Sequence, residues 1–298
     1  MRCARLLLST VAAGVLWLAS APVPAQEPLE IFDAHLHYNW EPKPYLDQAD
    51  VIALFKRNRV TGILATSRPN TGTHALVDRP SEGLAVVPFI CPYRGRADIA
   101  SWMGDPAIFD LVQEEFKRRY YRGIGEFHLS GQAAANEWVK RTVDFAVENN
   151  LFLHCHCDAE ALEILFAHNA KARIIWAHTG FSLETARVKA FLDKHSELWG
   201  ELSYRSGIVD GAGKLTPEWR ALFEQYPGRF LLGSDTWINE RWANYDQIIS
   251  GYRQWLAQLP APVAARIASG NAKALFALKR CLRRQCPGDT QSPDPSME

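Results

Sequence analysis

From about residue 29 onward, short apolar runs of strand length alternate with segments whose apolar residues recur every three to four positions. Eight runs of the first kind occur: LEIFDAHLH from Leu29, VTGILATS from Val60, LAVVPFIC from Leu84, RGIGEFHLS from Arg122, LFLHCHC from Leu151, ARIIWAHT from Ala172, LWGELSYR from Leu198 and RFLLGSD from Arg229. Between them lie helical patterns such as DPAIFDLVQEEFKRRY, NEWVKRTVDFAVENN, DAEALEILFAHN, SLETARVKAFLDKH and TPEWRALFEQY, opened by Asp, Asn, Ser or Thr as capping residues. Gly123 and Gly125 weaken the fourth strand, and the helix around TGTHALVDRPSEG has an indistinct boundary. Eight β/α alternations within about 250 residues predict a single-domain α/β protein, a (β/α)8 TIM barrel, with a doubly wound open sheet as the competing arrangement.

The ends of the chain read differently. Residues 1–25 carry Arg2 and Arg5, then LLLSTVAAGVLWLA and the small-residue stretch SAPVPAQ, the pattern of a secretory signal cleaved after Ala25, with Ala21 as the competing site. Export, in a bacterium to the periplasm, is the expectation, with no membrane anchor left after cleavage. Residues 26–280 hold the barrel, and the polar, Pro-rich tail 281–298 reads as disordered. Cys281 and Cys286 could close a small loop, whereas Cys91, Cys155 and Cys157 sit in apolar runs and read as buried small hydrophobes.

Composition narrows the function. Lys plus Arg and Asp plus Glu are balanced at 33 each, so no net field draws the chain to nucleic acid, and a small-molecule substrate is the expected partner.

The chemistry then lies where strands end. In a closed parallel barrel the C-terminal strand ends converge on one mouth. Those ends carry His35 and His37, Glu126 and His128, His154 and His156, His178 and Asp235. Alternation along an extended strand puts Asp33, His35 and His37 on one face. Imidazoles and carboxylates converging in this way suit a divalent cation such as Zn²⁺, Mn²⁺ or Fe²⁺.

The ordered set of His35-x-His37, the strand-five histidine, WAHTG, LLGSD and the closing GNAKALF resembles the metal-dependent amidohydrolase superfamily, over nearly the whole stretch from residue 29 to 278. The likeness is to the amidohydrolase-related branch that includes relatives of carboxymuconate-semialdehyde decarboxylase. It implies His35 and His37 as metal ligands, Asp235 as ligand and general base, and His178 as a catalytic or second-metal histidine. His156 is taken as the strand-five ligand, with His154 deeper and hydrogen-bonded. Glu126 resembles the strand-four metal-binding glutamate of TatD-type nucleases, so one ion, zinc first, is expected with room for a second; the bland alternative for Glu126 is an ion pair with arginine. Arg68, Arg94 and Arg205 follow strands and could hold a substrate carboxylate, while Trp40, Tyr204 and Trp237 could wall the pocket. Hydrolysis of an ester, lactone or amide is the leading expectation. Non-oxidative decarboxylation of an aromatic or unsaturated acid is the alternative, and a non-catalytic metal- or ligand-binding barrel the third.

Overall fold

A computed structural model describes residues 27–277. The expected signal segment, the tail from residue 281, and with it Cys281 and Cys286, lie outside the described residues. No helix among those described is long and apolar enough to cross a membrane.

The eight strands form where the apolar runs place them: β1 (Ile31–His37), β2 (Val60–Thr66), β3 (Ala85–Ile90), β4 (Gly123–Leu129), β5 (Phe152–Cys157), β6 (Arg173–Trp176), β7 (Leu198–Glu201) and β8 (Phe230–Leu231). They pair in parallel in the order β1 to β8. The ring is completed beyond the formal ladder, where the Ala34 N–H donates to the Leu232 carbonyl at 2.7 Å. The protein is thus a single (β/α)8 barrel, and the open sheet is excluded.

Helices α1 (Gln48–Arg57), α2 (Thr71–Asp78), α3 (Pro106–Phe116), α4 (Glu137–Glu148), α5 (Ala159–His168), α6 (Thr185–Lys194) and α7 (Pro217–Gln225) follow the first seven strands. After β8 come α8 (Asn239–Ala243), α9 (Tyr245–Leu256), α10 (Ala261–Ala265) and α11 (Asn271–Leu275). Asp105, Asn136 and Asp158 accept a backbone N–H at the starts of α3, α4 and α5, as their positions predict. One start differs: α6 begins at Thr185 rather than near Ser182, and its capping residue Glu184 makes no side-chain cap bond.

Alternate strand residues face inward. Phe32, Ala34, Leu64, Val87, Phe89, Phe152, Ile175 and Leu231 form an inner apolar cluster with Phe276. The Phe276 ring meets those of Phe32, Phe89 and Phe152 at centroid distances of 5.8, 6.1 and 5.3 Å. Because Phe32 and Phe152 precede the histidines on their own strands, this apolar plug closes the end opposite the polar residues. The outward strand residues pack under the helices in a second, larger cluster. Chemistry is left one open end.

Candidate active site

Strand β1 departs from simple alternation. Its register against β2 shifts between Asp33 and Leu36, and Asp33 turns toward the helix layer, where it accepts from the Tyr245 hydroxyl of α9 and the Ser234 N–H, both at 2.8 Å. The expectation that Asp33 shares a face with His35 and His37 is therefore corrected. The shift lets His35 and His37 point together at the mouth, with their Nε2 atoms 3.1 Å apart.

Glu126 reaches the same point from β4 because Gly125 lets the strand come close: a Cβ there would lie 2.3 Å from the His154 carbonyl oxygen, at a φ of +130°. Asp235 arrives from just after β8. It has a positive φ of 48°, held by its N–H donating to the His35 carbonyl at 2.6 Å. Glu126 Oε2 lies 3.5 Å from His35 Nε2 and 3.2 Å from His37 Nε2, and Asp235 Oδ1 lies 3.4 and 3.2 Å from the same two atoms.

These separations are informative. Ligands 2.0–2.1 Å from a tetrahedral ion are about 3.3–3.4 Å from one another. Asp235 Oδ1 is buried without a hydrogen-bond partner, which leaves a costly orphan unless a cation or proton answers it. Two imidazoles and two carboxylates thus fit a divalent ion in both spacing and donor type.

A second donor set adjoins the first. The other carboxylate oxygen of Glu126, Oε1, lies 3.0 Å from His156 Nδ1 and 3.5 Å from His178 Nε2, and those two nitrogens are 3.1 Å apart. Glu126 stands between the sets. His156 therefore does not complete the His35, His37 and Asp235 group as expected; that place is taken by Glu126, whose charged neighbours are histidines rather than an arginine. His154 is fully buried beneath His35, ring centroids 4.4 Å apart. Neither of its nitrogens has a hydrogen-bond partner, so the expected hydrogen bond is absent, and burial keeps its pKa well below the usual histidine range.

Two residues that the sequence reading passed over organise this centre. Glu201, at the end of β7, accepts from His35 Nδ1 at 2.8 Å, so when His35 is neutral its lone pair is on Nε2, facing the donor cluster. Ser203 gives its hydroxyl proton to Glu201 at 2.8 Å, and its carbonyl accepts from His178 Nδ1, also at 2.8 Å. His178 is thereby oriented in the same way. His178 and Thr179 have left-handed backbone, φ 59° and 43°, uncommon outside glycine. Glu201 holds that turn, with its carboxylate receiving the His178 N–H at 3.3 Å and its carbonyl the Thr179 hydroxyl at 2.7 Å. The signal was a single carboxylate inside the apolar run LWGELS, which a buried strand tolerates only with a partner.

Charges are strongly coupled here. Burial would depress His35, but Asp235, Glu126 and Glu201 outweigh it and hold His35 well above the usual histidine value. Burial would raise Glu126, yet the field of His35 and bonds from His156 and His178 take it well below the carboxylate range. Glu201 is buried as well, and His35 draws it down to about 2.

The expected arginines are engaged elsewhere. Arg68 is paired with Glu41 at 2.7 Å, and Arg94 with Asp98 and Asp105 at 2.8 and 2.6 Å. Arg205 donates to the carbonyls of Phe181, Leu183 and Ser206 and stacks over Trp219, bracing the loops after β6 and β7. Trp237 is at the rim, 39% exposed, its indole N–H donating to the Tyr204 hydroxyl at 3.3 Å. Tyr204 in turn faces the His178 ring at 5.9 Å. Trp40 packs against Tyr38. Cys91, Cys155 and Cys157 are buried thiols, as read from the sequence.

A barrel with histidines and carboxylates converging on its open end defines a class of metal-site enzymes, and the amidohydrolase family model matches residues 105–278 of this chain. The chain belongs to the amidohydrolase family. Among solved structures it is similar to an amidohydrolase from Burkholderia multivorans with bound zinc, at 17% identity and a TM-score of 0.55, over 84% of this chain and 100% of that one. It is similar, too, to amidohydrolase 2 from Bifidobacterium longum subsp. infantis, at 14% identity and a TM-score of 0.51, over 84% and 100% of the two chains. A Pseudomonas putida protein assigned as a 2-pyrone-4,6-dicarboxylic acid hydrolase aligns at 13% identity and a TM-score of 0.54, over 84% and 98%. These likenesses show the fold. No curated protein matches the chain in sequence. Family membership and the His/Glu/Asp cluster together support a divalent metal and an activity of metal-dependent hydrolase or decarboxylase type.

Proposed function

We propose that the protein hydrolyses an ester, lactone or amide of a small substrate at a divalent metal centre, zinc by preference. The observation that carries this reading is the cluster of His35, His37, Glu126 and Asp235, with spacings between 3.1 and 3.5 Å and a buried, unpartnered Asp235 oxygen. Glu126, His156 and His178 would hold a second ion beside it. A cation bound there supplies Lewis acidity, lowering the pKa of water from about 16 to about 7 and polarising a carbonyl.

The residues of the chain divide the remaining work. Asp235 Oδ2, on the side of His178 at 3.9 Å, takes the proton of the attacking water as general base and delivers it to the leaving group. Glu201 and Ser203 keep the Nε2 lone pairs of His35 and His178 directed at the centre. Tyr204 and Trp237 wall the mouth and favour a substrate with a flat or apolar face. Hydrolysis is preferred over decarboxylation because Arg68, Arg94 and Arg205, the groups expected to hold a substrate carboxylate, are engaged with Glu41, with Asp98 and Asp105, and with backbone carbonyls. A base at Asp235 also goes beyond what a purely ligand-binding barrel needs.

Export, in a bacterium to the periplasm, is part of the same proposal and is supported by the sequence pattern of residues 1–25. The test is metal analysis of the purified protein followed by a panel of esters, lactones and aromatic acids, with water incorporation scored against carbon dioxide release. Asp235→Asn should retain the fold and lose turnover by 100-fold or more, on the order of a general base's contribution; full turnover in that variant contradicts the reading.

A further inference from the structure

One histidine at the mouth is left without a part in this scheme. His128 lies two residues beyond Glu126 on β4, and its ring packs on that of His156 with centroids 4.1 Å apart at 31°. Its backbone is fixed on both sides: the N–H donates to the Tyr93 hydroxyl at 2.8 Å, and the carbonyl accepts the Trp102 indole N–H at 2.8 Å. The Tyr93 hydroxyl is also 3.0 Å from Nδ1 of the His128 ring.

That geometry determines a tautomer. Tyr93 is buried and keeps its phenolic proton, which burial holds well above the usual tyrosine range. Since the phenol oxygen already accepts the backbone N–H, its own proton goes to His128 Nδ1. A neutral His128 then carries its hydrogen on Nε2. The residue is half-buried and lies one strand alternation beyond Glu126 on β4, on the same face and nearer the open end. It stands beside Glu126 and His156, with donor atoms of the three residues within 4.8 Å of one another.

We propose that the Nε2–H of His128 is the hydrogen-bond donor that receives the reacting oxygen of the substrate, with Tyr93 as the positioning residue that fixes its tautomer. The inference rests on the metal-dependent reading above and deepens it: the favoured substrates are those whose carbonyl oxygen gains negative charge as water adds. A neutral donor held by Tyr93 stabilises that charge without reorganising at the moment of reaction.

The test uses zinc-loaded protein and methylphosphonate, a tetrahedral oxyanion, titrated by calorimetry against wild type, His128→Phe, His128→Gln and Tyr93→Phe, with zinc counted in each. The expected result is unchanged zinc in all four, methylphosphonate bound about 10-fold or more weakly by His128→Phe, and partial recovery in His128→Gln. Tyr93→Phe should bind with intermediate strength, and nitrogen-15 spectra of its His128 ring should show mixed tautomers where wild type shows the proton on Nε2. Three results overturn the proposal: equal affinity in wild type and His128→Phe, no methylphosphonate binding by zinc-loaded wild type, or loss of a zinc equivalent in His128→Phe, which would make His128 a ligand. Failure of wild type to hold zinc is a separate result, and it strikes the metal reading itself.

Discussion

Glu201 on β7 and His35 on β1 meet at 2.8 Å across the barrel, with neither side chain reached by solvent. A carboxylate behind a ligand histidine fixes the ring and raises its basicity, and removing such a group costs 10–100-fold in metal affinity. Glu201→Gln should therefore bind zinc about 10–100-fold more weakly, as read by competition with a chromophoric chelator. Glu201→Ala should in addition lose about 3–5 kcal/mol of stability, because it strips a buried charge pair of one partner. Unchanged zinc affinity in both variants would remove Glu201 from the centre.

The same network can be disturbed without touching an ionisable group. A Cβ at Gly233 would lie 2.4 Å from Glu201 Oε1 and 2.4 Å from the His35 Cβ. Gly233→Ala should consequently lose zinc affinity although every ligand is retained. Zinc affinity equal to wild type would show that the strand ends yield more readily than these contacts imply.

Protons and metal compete for the cluster. In the metal-free protein His35, His37 and His178 are held above the usual histidine value, His35 most strongly, because the neighbouring carboxylates outweigh burial. For a raised pKa, the stabilisation is fully present below the unfolded value of about 6.5 and is lost as pH rises through the folded value. Metal-free protein should thus lose part of its stability above pH 6.5. Zinc should bind more tightly over the same interval, since each ligand imidazole must release its proton. Thermal melts with and without zinc between pH 6 and 9 check both trends; a zinc-induced Tm shift that does not grow with pH contradicts the charge assignment.

Much of this architecture is legible before folding, and the gaps have physical causes. Parallel strands covered on both faces read as continuous apolar runs, so β2, β3 and β5 stand out within a residue of where they form. The His35-x-His37 pair and Asp235 stood out because several imidazoles and carboxylates end strand-like runs that a closed barrel brings to one mouth. The position of Asp33 was not, since the register shift between Asp33 and Leu36 is a property of the β1–β2 pairing. Arg68 and Arg205 looked available because a strand-following arginine shows its charge but not its partner, and here Glu41 and three carbonyls meet them. Glu126 displaced His156 from the first donor set for a related reason: β4 and β5 both end at the mouth, and only the three-dimensional spacing tells which side chain reaches His35.

The apolar plug should be separable from the chemistry. Phe276→Ala removes a ring that contacts Phe32, Phe89 and Phe152, and a buried Phe→Ala change costs about 3–5 kcal/mol. Denaturant unfolding should show that loss, with zinc stoichiometry retained. A joint loss of zinc would mean that the plug supports the ligand positions as well as the fold.

The most direct test is zinc stoichiometry, measured by elemental analysis after loading and exhaustive dialysis, in wild type and in the double variant His37→Ala with Asp235→Asn. Wild type should retain at least one equivalent and the double variant at least one fewer, while circular dichroism shows both to be folded. Equal zinc in the two proteins would contradict a cation held by His35, His37, Glu126 and Asp235.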